Sequence, residues 1–352
     1  MSGKSRTKLR PTMADVAREA GVSLSTVDRV LNLRADVRAD TAQRIAAAAT
    51  RLGFHAKGVL EQRILTDRPT VRLGFLLQKS GVPFYQGLAQ ALSTAAANYA
   101  NARIKVLIGY LDDLDPATVA QRFLALRDQV DGLGVVAVDH PLVREAAAQL
   151  RDAGVPVVAL ISELAAASGA GYVGVDNRLM GRTAGWFASR LANGPGSAAV
   201  MVSSQRFQCQ ELCEFSFRSY LTDHSSDWDL LASRLTLEED EFAYGNTLDL
   251  LNGEPDLAAL YVAGGGIAGV VRALGEFQKH HARLPVVICH DLTALTRESL
   301  KSRLVQVVLS HPVLPLAEQA VIALVDAVTS KIPYSPGRRI LPLQIDICES
   351  VH

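Results

Sequence analysis

The sequence predicts an all-α helix-turn-helix headpiece followed by an α/β bilobed body of two doubly wound, parallel-sheet halves. Three observations carry that reading. Residues 12–54 hold three short amphipathic segments, two of them ended by Gly21 and Gly53. From residue 71 onward, short apolar runs alternate with alanine-rich amphipathic stretches, and the pattern restarts after Asn177. Charge is also divided: residues 1–68 hold 13 Lys/Arg against 7 Asp/Glu, leaving 23 against 29 of the 36 of each for the rest.

A basic head on an acidic body points to a polyanion contacted by the head. A chain of 352 residues, 49% of them hydrophobic, can build two or three units with real cores. No apolar run approaches the ~18 residues that span a membrane. Residues 1–12 lack the apolar stretch of a signal peptide, so a soluble, cytoplasmic protein is expected. Cys209, Cys213, Cys289 and Cys348 fit neither a disulfide framework nor zinc spacing, and no metal or cofactor is expected.

In the head, Thr12 is an N-cap with Asp15 three residues on, and Val16, Ala17 and Ala20 share one helical face up to Gly21. Ser23 caps a second helix, Leu24 to Asn32, whose Val27, Val30 and Leu31 leave Ser25, Thr26 and Arg29 on the other side. Thr41 to Leu52 gives a third helix. Such a second helix can enter the DNA major groove, where small polar residues approach bases and arginine reaches guanine O6 and N7.

The stretch from Thr12 to Phe54, with "DVAREAGVS", "STVDRVLN", "VRADTAQRI" and "LGF", resembles the DNA-binding headpiece of the lactose-repressor (LacI/GalR) family. The resemblance implies base-reading places for Leu24, Ser25 and Arg29, phosphate-contacting or capping places for Ser23 and Thr26, and a backbone contact at Asn32. Thr12 joins these as a DNA-binding candidate. Asp28 stands where the family has serine, which leaves the operator sequence open.

These units divide as 1–55 for the headpiece, 56–70 for a hinge, and 71–352 for ligand binding and dimerisation. In the family the hinge segment folds on the operator and wedges a leucine into the minor groove. Here Ala56 and Lys57 replace the usual Pro-Asn, and Leu60 or Ile64 is the candidate wedge.

In the body, strands are expected at 71–77, 103–109, 132–138 and 155–161, then at 197–203, 257–262, 285–289, 305–309 and 338–348. Helices fall between them, including 87–101, 115–129 and 141–153. This body is similar to the family's effector domain, related to periplasmic sugar-binding proteins, so the resemblance covers nearly the whole chain. Ligands of such sheets sit at the carboxyl ends of the strands. The residues found there are Phe84 and Tyr85, Asp139 and His140, Arg206, Gly265, His290 and Asp291, and His311. Phe84 or Tyr85 either stacks on a sugar ring or packs in the core; Asp176 and Asn177 either reach ligand or cap a helix. An arginine usual in the family is absent from "CQELCEFSF"; unless Arg206 supplies it, this favours a neutral sugar or polyol.

The expectation is a homodimeric transcriptional regulator, a repressor in sign, that binds double-stranded operator DNA under control of a small-molecule effector. An enzyme is not expected: "AGGGIAG" matches neither GxGxxG nor a P-loop, and no G-x-S-x-G occurs.

Overall fold

A computed structural model describes residues 11–32, 37, 39–54, 68–281, 283–330 and 334–351. Leu60 and Ile64 lie outside these residues, as does the side chain of Asn32. The chain divides into two compact units, a small one holding the N-terminal helices and a large one of Val71–Tyr99 with Ile104–His352.

In the small unit, Thr12 and Asp15 form a capping box that opens α1 (Met13–Ala20), and Gly21 closes it in the left-handed region at φ 66°. The Ser23 hydroxyl accepts from the Thr26 amide at 3.2 Å at the start of α2 (Leu24–Asn32). The third helix, α3 (Ala39–Leu52), starts earlier than the sequence suggested. Val16, Ala17, Ala20, Val27, Ile45, Ala48, Ala49 and Phe54 are buried together. Arg44 donates to the carbonyls of Ala20 and Gly21, satisfying the end of α1 across the core.

The large unit is built on two sheets. Among its described residues the first sheet has six strands. They are β1 (Thr70–Gln78), β2 (Arg103–Leu111), β3 (Gly132–Val135), β4 (Val157–Leu160), β5 (Gly171–Val175) and β12 (Arg338–Leu341), ordered β12-β5-β4-β3-β1-β2. The second holds β6 (Ser197–Val202), β7 (Asp229–Leu230), β8 (Arg234–Leu235), β9 (Leu257–Val262), β10 (Val286–His290), β11 (Val307–Ser310) and β13 (Gln344–Asp346). Its order is β13-β11-β10-β9-β6-β7, with β8 also paired to β6. Strands β3, β4, β5, β6 and β9 are buried at every residue, as parallel strands covered on both faces must be. Edge strands β2 and β12 alternate instead.

Helices begin where the sequence supplies proline at the first turn. Pro83 opens α4 (Pro83–Asn98), Pro116 opens α5 (Pro116–Leu124), and Pro141 opens α6 (Pro141–Asp152). The first of these therefore starts four residues before the expected position. No helix among the described residues is long and apolar enough to cross a membrane.

The two halves are not strictly in tandem; the chain interleaves them. Helix α7 (Asn177–Leu191) follows β5 of the first sheet, yet its Met180, Ala184 and Ala188 pack with Phe217, Tyr261 and Ile288 of the second lobe. Helix α12 (Val313–Thr329) follows β11 of the second sheet, yet its Leu324 and Val328 lie over Gly132 in the first. The single strand expected at 338–348 is two: β12 runs parallel to β5, and β13 runs antiparallel to β11. Pro342 falls between them and has no N–H to continue a ladder. Helix α10 (Ile267–Gln278) follows β9, and α11 (Ala294–Lys301), which the sequence reading missed, is started by a Thr293–Thr296 capping box.

Helix α7 crosses α8 (Gln208–His224) at close range, with Gly181 directly over the Cys213 backbone and Gly185 against the Tyr220 ring. A Cβ at Gly181 would collide with the Cys213 carbonyl, so Gly181→Ala is expected to cost ~1–3 kcal/mol through forced separation of the helices. Gly245, inside α9 (Asp240–Gly253), faces open space. There an alanine should stabilise by up to about 1 kcal/mol through helix propensity. Urea unfolding of the two variants measures both, and equal effects would contradict this packing.

Candidate functional site

On α2, Ser23, Leu24, Ser25 and Arg29 are exposed and Thr26 is half-buried, while Val27 is fully buried against α1 and α3. The Ser23 hydroxyl lies 2.8 Å from that of Ser25 and 2.7 Å from that of Thr26, so three hydroxyls cluster at the helix start. Thr12, by contrast, is engaged locally: its backbone N–H and hydroxyl both donate to Asp15, at 2.9 and 2.7 Å.

Between the lobes of the large unit lies a cavity of about 230 Å³ at the carboxyl ends of both sheets. The first lobe supplies Val82, Pro83, Phe84 and Tyr85 from the start of α4, Val136 after β3, and Ile161 after β4. The second supplies Cys209 and Gln210 from α8, Glu238 before α9, Gly264–Gly266 after β9, His290 and Asp291 after β10, and His311 after β11. Six of the residues expected from strand ends therefore line one cavity: Phe84, Tyr85, Gly265, His290, Asp291 and His311. Phe84 sits edge-on to Tyr85 with centroids 5.2 Å apart and tilts over His311 at 6.0 Å.

The polar wall is organised around Asp291. Its backbone is left-handed (φ 63°), which turns the carboxylate back toward His311. Oδ1 accepts from the His311 backbone N–H and pairs with Nδ1, each at 2.9 Å. Burial pushes the Asp291 carboxyl up, but nearby His311, its hydrogen bonds and His290 outweigh that and hold it below the ordinary carboxylate range. Burial depresses His290 to about 4, so its ring is neutral near pH 7, and its Nε2 lies 2.6 Å from the Tyr261 hydroxyl.

Glu238 faces the cavity from a loop whose Leu237 and Glu238 are both left-handed, at φ 55° and 53°. Ser203 Oγ donates to its Oε1 at 3.1 Å, while Gln210 Nε2 and the Gly265 N–H donate to that hydroxyl. Burial raises the Glu238 carboxyl above its usual range, against the pull of Ser203 and Lys79. Lys79, also left-handed, reaches across from the first lobe and donates to the Leu237 and Glu238 carbonyls at 3.2 and 3.3 Å. The glycine run now has a packing reason. A Cβ at Gly264 would strike Ser203 and Gln210, one at Gly265 would strike Glu238, and Gly266 has φ 81°.

Three expected residues are placed elsewhere. Asp139 makes a two-point ion pair with Arg144 at 2.7 and 2.6 Å and accepts from the Ala165 N–H. His140 caps α6, its Nδ1 accepting from Leu142 N at 3.3 Å. Arg206 is exposed, and its carbonyl accepts from the Asp139 N–H at 2.9 Å. Asp176 caps α7, whereas Asn177 lines the cavity and donates to Ile161 O and Tyr172 Oη. Sequence reasoning missed Glu238 and Gln210. Nothing in "LTLEEDE" marks Glu238 and Asp240 as the acidic residues that line the cavity. Among the described residues no group of three His, Cys, Asp or Glu side chains could hold a metal.

Residues 12–57 match the family model of bacterial regulatory proteins of the lacI family, and residues 73–332 match that of the periplasmic binding protein domain. The chain is 29% identical over 147 residues to catabolite control protein A of Streptococcus mutans, a match covering 42% of each chain. It is 30% identical over 148 residues to that of Staphylococcus aureus, covering 42% of this chain and 43% of the relative. The matched stretch thus spans less than half the length of these relatives. A solute-binding protein of Burkholderia graminis, solved with D-arabinose, superposes with TM-score 0.73 at 18% identity, over 80% of this chain and 97% of that one. One from Bacillus halodurans with myo-inositol gives 0.70 at 16% identity, over 80% and 96%.

Because His290 is buried neutral, its protonation opposes folding. The unfolded histidine takes a proton near 6.5 and the folded one only near 4. Stability from this group is therefore complete above about pH 6.5 and falls as pH drops toward 4, by roughly 3 kcal/mol in all. His290→Gln should flatten the slope of unfolding free energy between pH 4.5 and 6.5 relative to wild type; an unchanged slope in urea titrations would refute it.

Proposed function

The chain belongs to the periplasmic binding protein domain family, carried behind a DNA-binding domain of the lacI family of bacterial regulators, and from that premise we propose a ligand-controlled operator repressor. Two copies of the chain bind one operator, since a single helix-turn-helix covers too few base pairs and two-fold pairing of half-sites doubles the contact. Helix α2 lies in the major groove, with Leu24, Ser25 and Arg29 at the base edges and Ser23 and Thr26 toward phosphate. Asn32 reaches the backbone, and Leu60 or Ile64 of the hinge wedges the minor groove.

A sugar or polyol occupies the cleft and changes operator affinity. The observation that supports this most is the cavity at the carboxyl ends of both sheets, with the unsatisfied atoms Glu238 Oε2 and His311 Nε2 on its wall and aromatic Phe84 beside them. The bound sugars and inositol of the similar solute-binding proteins favour the same class. Ligand shifts the protein between binding and non-binding states only by its differential affinity for them.

Gel shifts of the full chain on its operator, with and without pentoses, hexoses and inositols, test the whole reading. One such compound should change operator affinity at least fivefold, and affinity should fall steeply with salt as phosphate contacts are screened. Arg29→Ala should weaken specific binding by ~1–3 kcal/mol and relax preference at one base position. An operator preference identical to wild type in that variant would remove Arg29 from the recognition surface.

A further inference from the structure

The two walls of the cavity differ in chemistry. From the first lobe come Val82, Pro83, Phe84, Tyr85, Val136 and Ile161, whose one side-chain hydrogen-bonding group is the Tyr85 hydroxyl. From the second come Gln210, Glu238, His290, Asp291 and His311. No lysine or arginine is among the described residues lining it.

Two atoms on the polar wall are buried without any hydrogen-bond partner, His311 Nε2 and Glu238 Oε2. The His311 side chain is only 4% exposed. Its Nδ1 faces the Asp291 carboxylate at 2.9 Å and donates to it, and in the neutral ring that tautomer makes Nε2 an acceptor. With Oε1 taken by the Ser203 hydroxyl, Oε2 is the free acceptor of the ionised Glu238 carboxylate. Both atoms therefore ask for donors, and an unmet buried acceptor costs free energy that a ligand hydroxyl would recover. An anionic ligand would instead meet the Glu238, Asp240 and Asp291 carboxyls, the nearby Lys79 ammonium being engaged by the Leu237 and Glu238 carbonyls. The cavity is also smaller than the roughly 300–1,000 Å³ that holds drug-sized ligands.

We propose that the effector is a small, uncharged ring compound held asymmetrically, its apolar face on the Phe84 wall and its hydroxyl edge donating to His311 Nε2 and Glu238 Oε2, with sugar acids and sugar phosphates rejected. This rests on the sugar-or-polyol reading above and assigns the selection of ligand charge to Glu238 and His311.

Calorimetric titration of the full chain with neutral pentoses, hexoses and inositols, and with the matching uronic acids and 6-phosphates, tests it. The best binder should be neutral, with its acid or phosphate roughly a hundredfold weaker. Glu238→Gln puts an amide donor in place of one oxygen. It should weaken the neutral binder about tenfold and narrow the gap to the acid, a change of selectivity that loss of packing would not produce. His311→Asn keeps a donor toward Asp291 but removes Nε2, and should weaken binding by about the same factor. A uronic acid or phosphate as the tightest binder, or wild-type affinity in both variants, overturns the proposal while leaving the sugar reading intact. If no member of the panel binds, the sugar reading itself fails and this assignment with it.

Discussion

A parallel strand is stable only when both faces are covered, and that requirement governs how this chain is threaded. Each lobe borrows a helix whose preceding strand belongs to the other. Helix α7 leaves the first sheet to bury Met180 and Ala184 in the second lobe, and α12 returns to roof the first sheet over Gly132. The last strands, β12 and β13, are shared out one to each sheet. The chain thus crosses between lobes after β5, after β11 and at Pro342. Three crossings tie the lobes together, and the carboxyl ends of their strands face a common cavity.

Backbone strain collects at that cavity. Of the non-glycine residues in the left-handed region, Lys79, Ile161, Leu237, Glu238 and Asp291 all lie on or beside it. Such conformations are costly and persist only where the surroundings over-determine them. Here the compensation is visible: Asp291 gains two bonds to His311, and the carbonyls of Leu237 and Glu238 receive Lys79. The latter contacts link the lobes directly, and so does the Asp139 amide bonded to the Arg206 carbonyl. Asp139 and Arg206, expected from the sequence at the ligand site, thus join the lobes instead.

The headpiece follows a different economy. Its core is small and rich in alanine, so it depends on well-made helix ends: the Thr12–Asp15 box, Gly21, the Ser23 cap, and Arg44 reaching the carbonyls of Ala20 and Gly21. With Val27 drawn into that core, the opposite side of α2 is left with Leu24, Ser25 and Arg29 exposed.

Local signals settled much of this in advance. Capping residues and 3.6-residue spacing define α1 and α2, and continuous apolar runs mark the central strands. Because strand ends of wound sheets converge, His290, Asp291, His311 and Phe84, which line the cavity, could be picked out from the sequence as candidates. What sequence could not supply was partnership. Asp139 stands after a strand just as Asp291 does, yet Arg144 on the next helical turn claims it, while Asp291 is turned inward by a left-handed backbone. Glu238 is one acidic residue in a run of four, chosen for the cavity only by Ser203, Gln210 and the bare Gly265 beside it. Periodicity and caps are properties of neighbours along the chain; burial of a polar group is decided by residues that meet only after distant segments fold together.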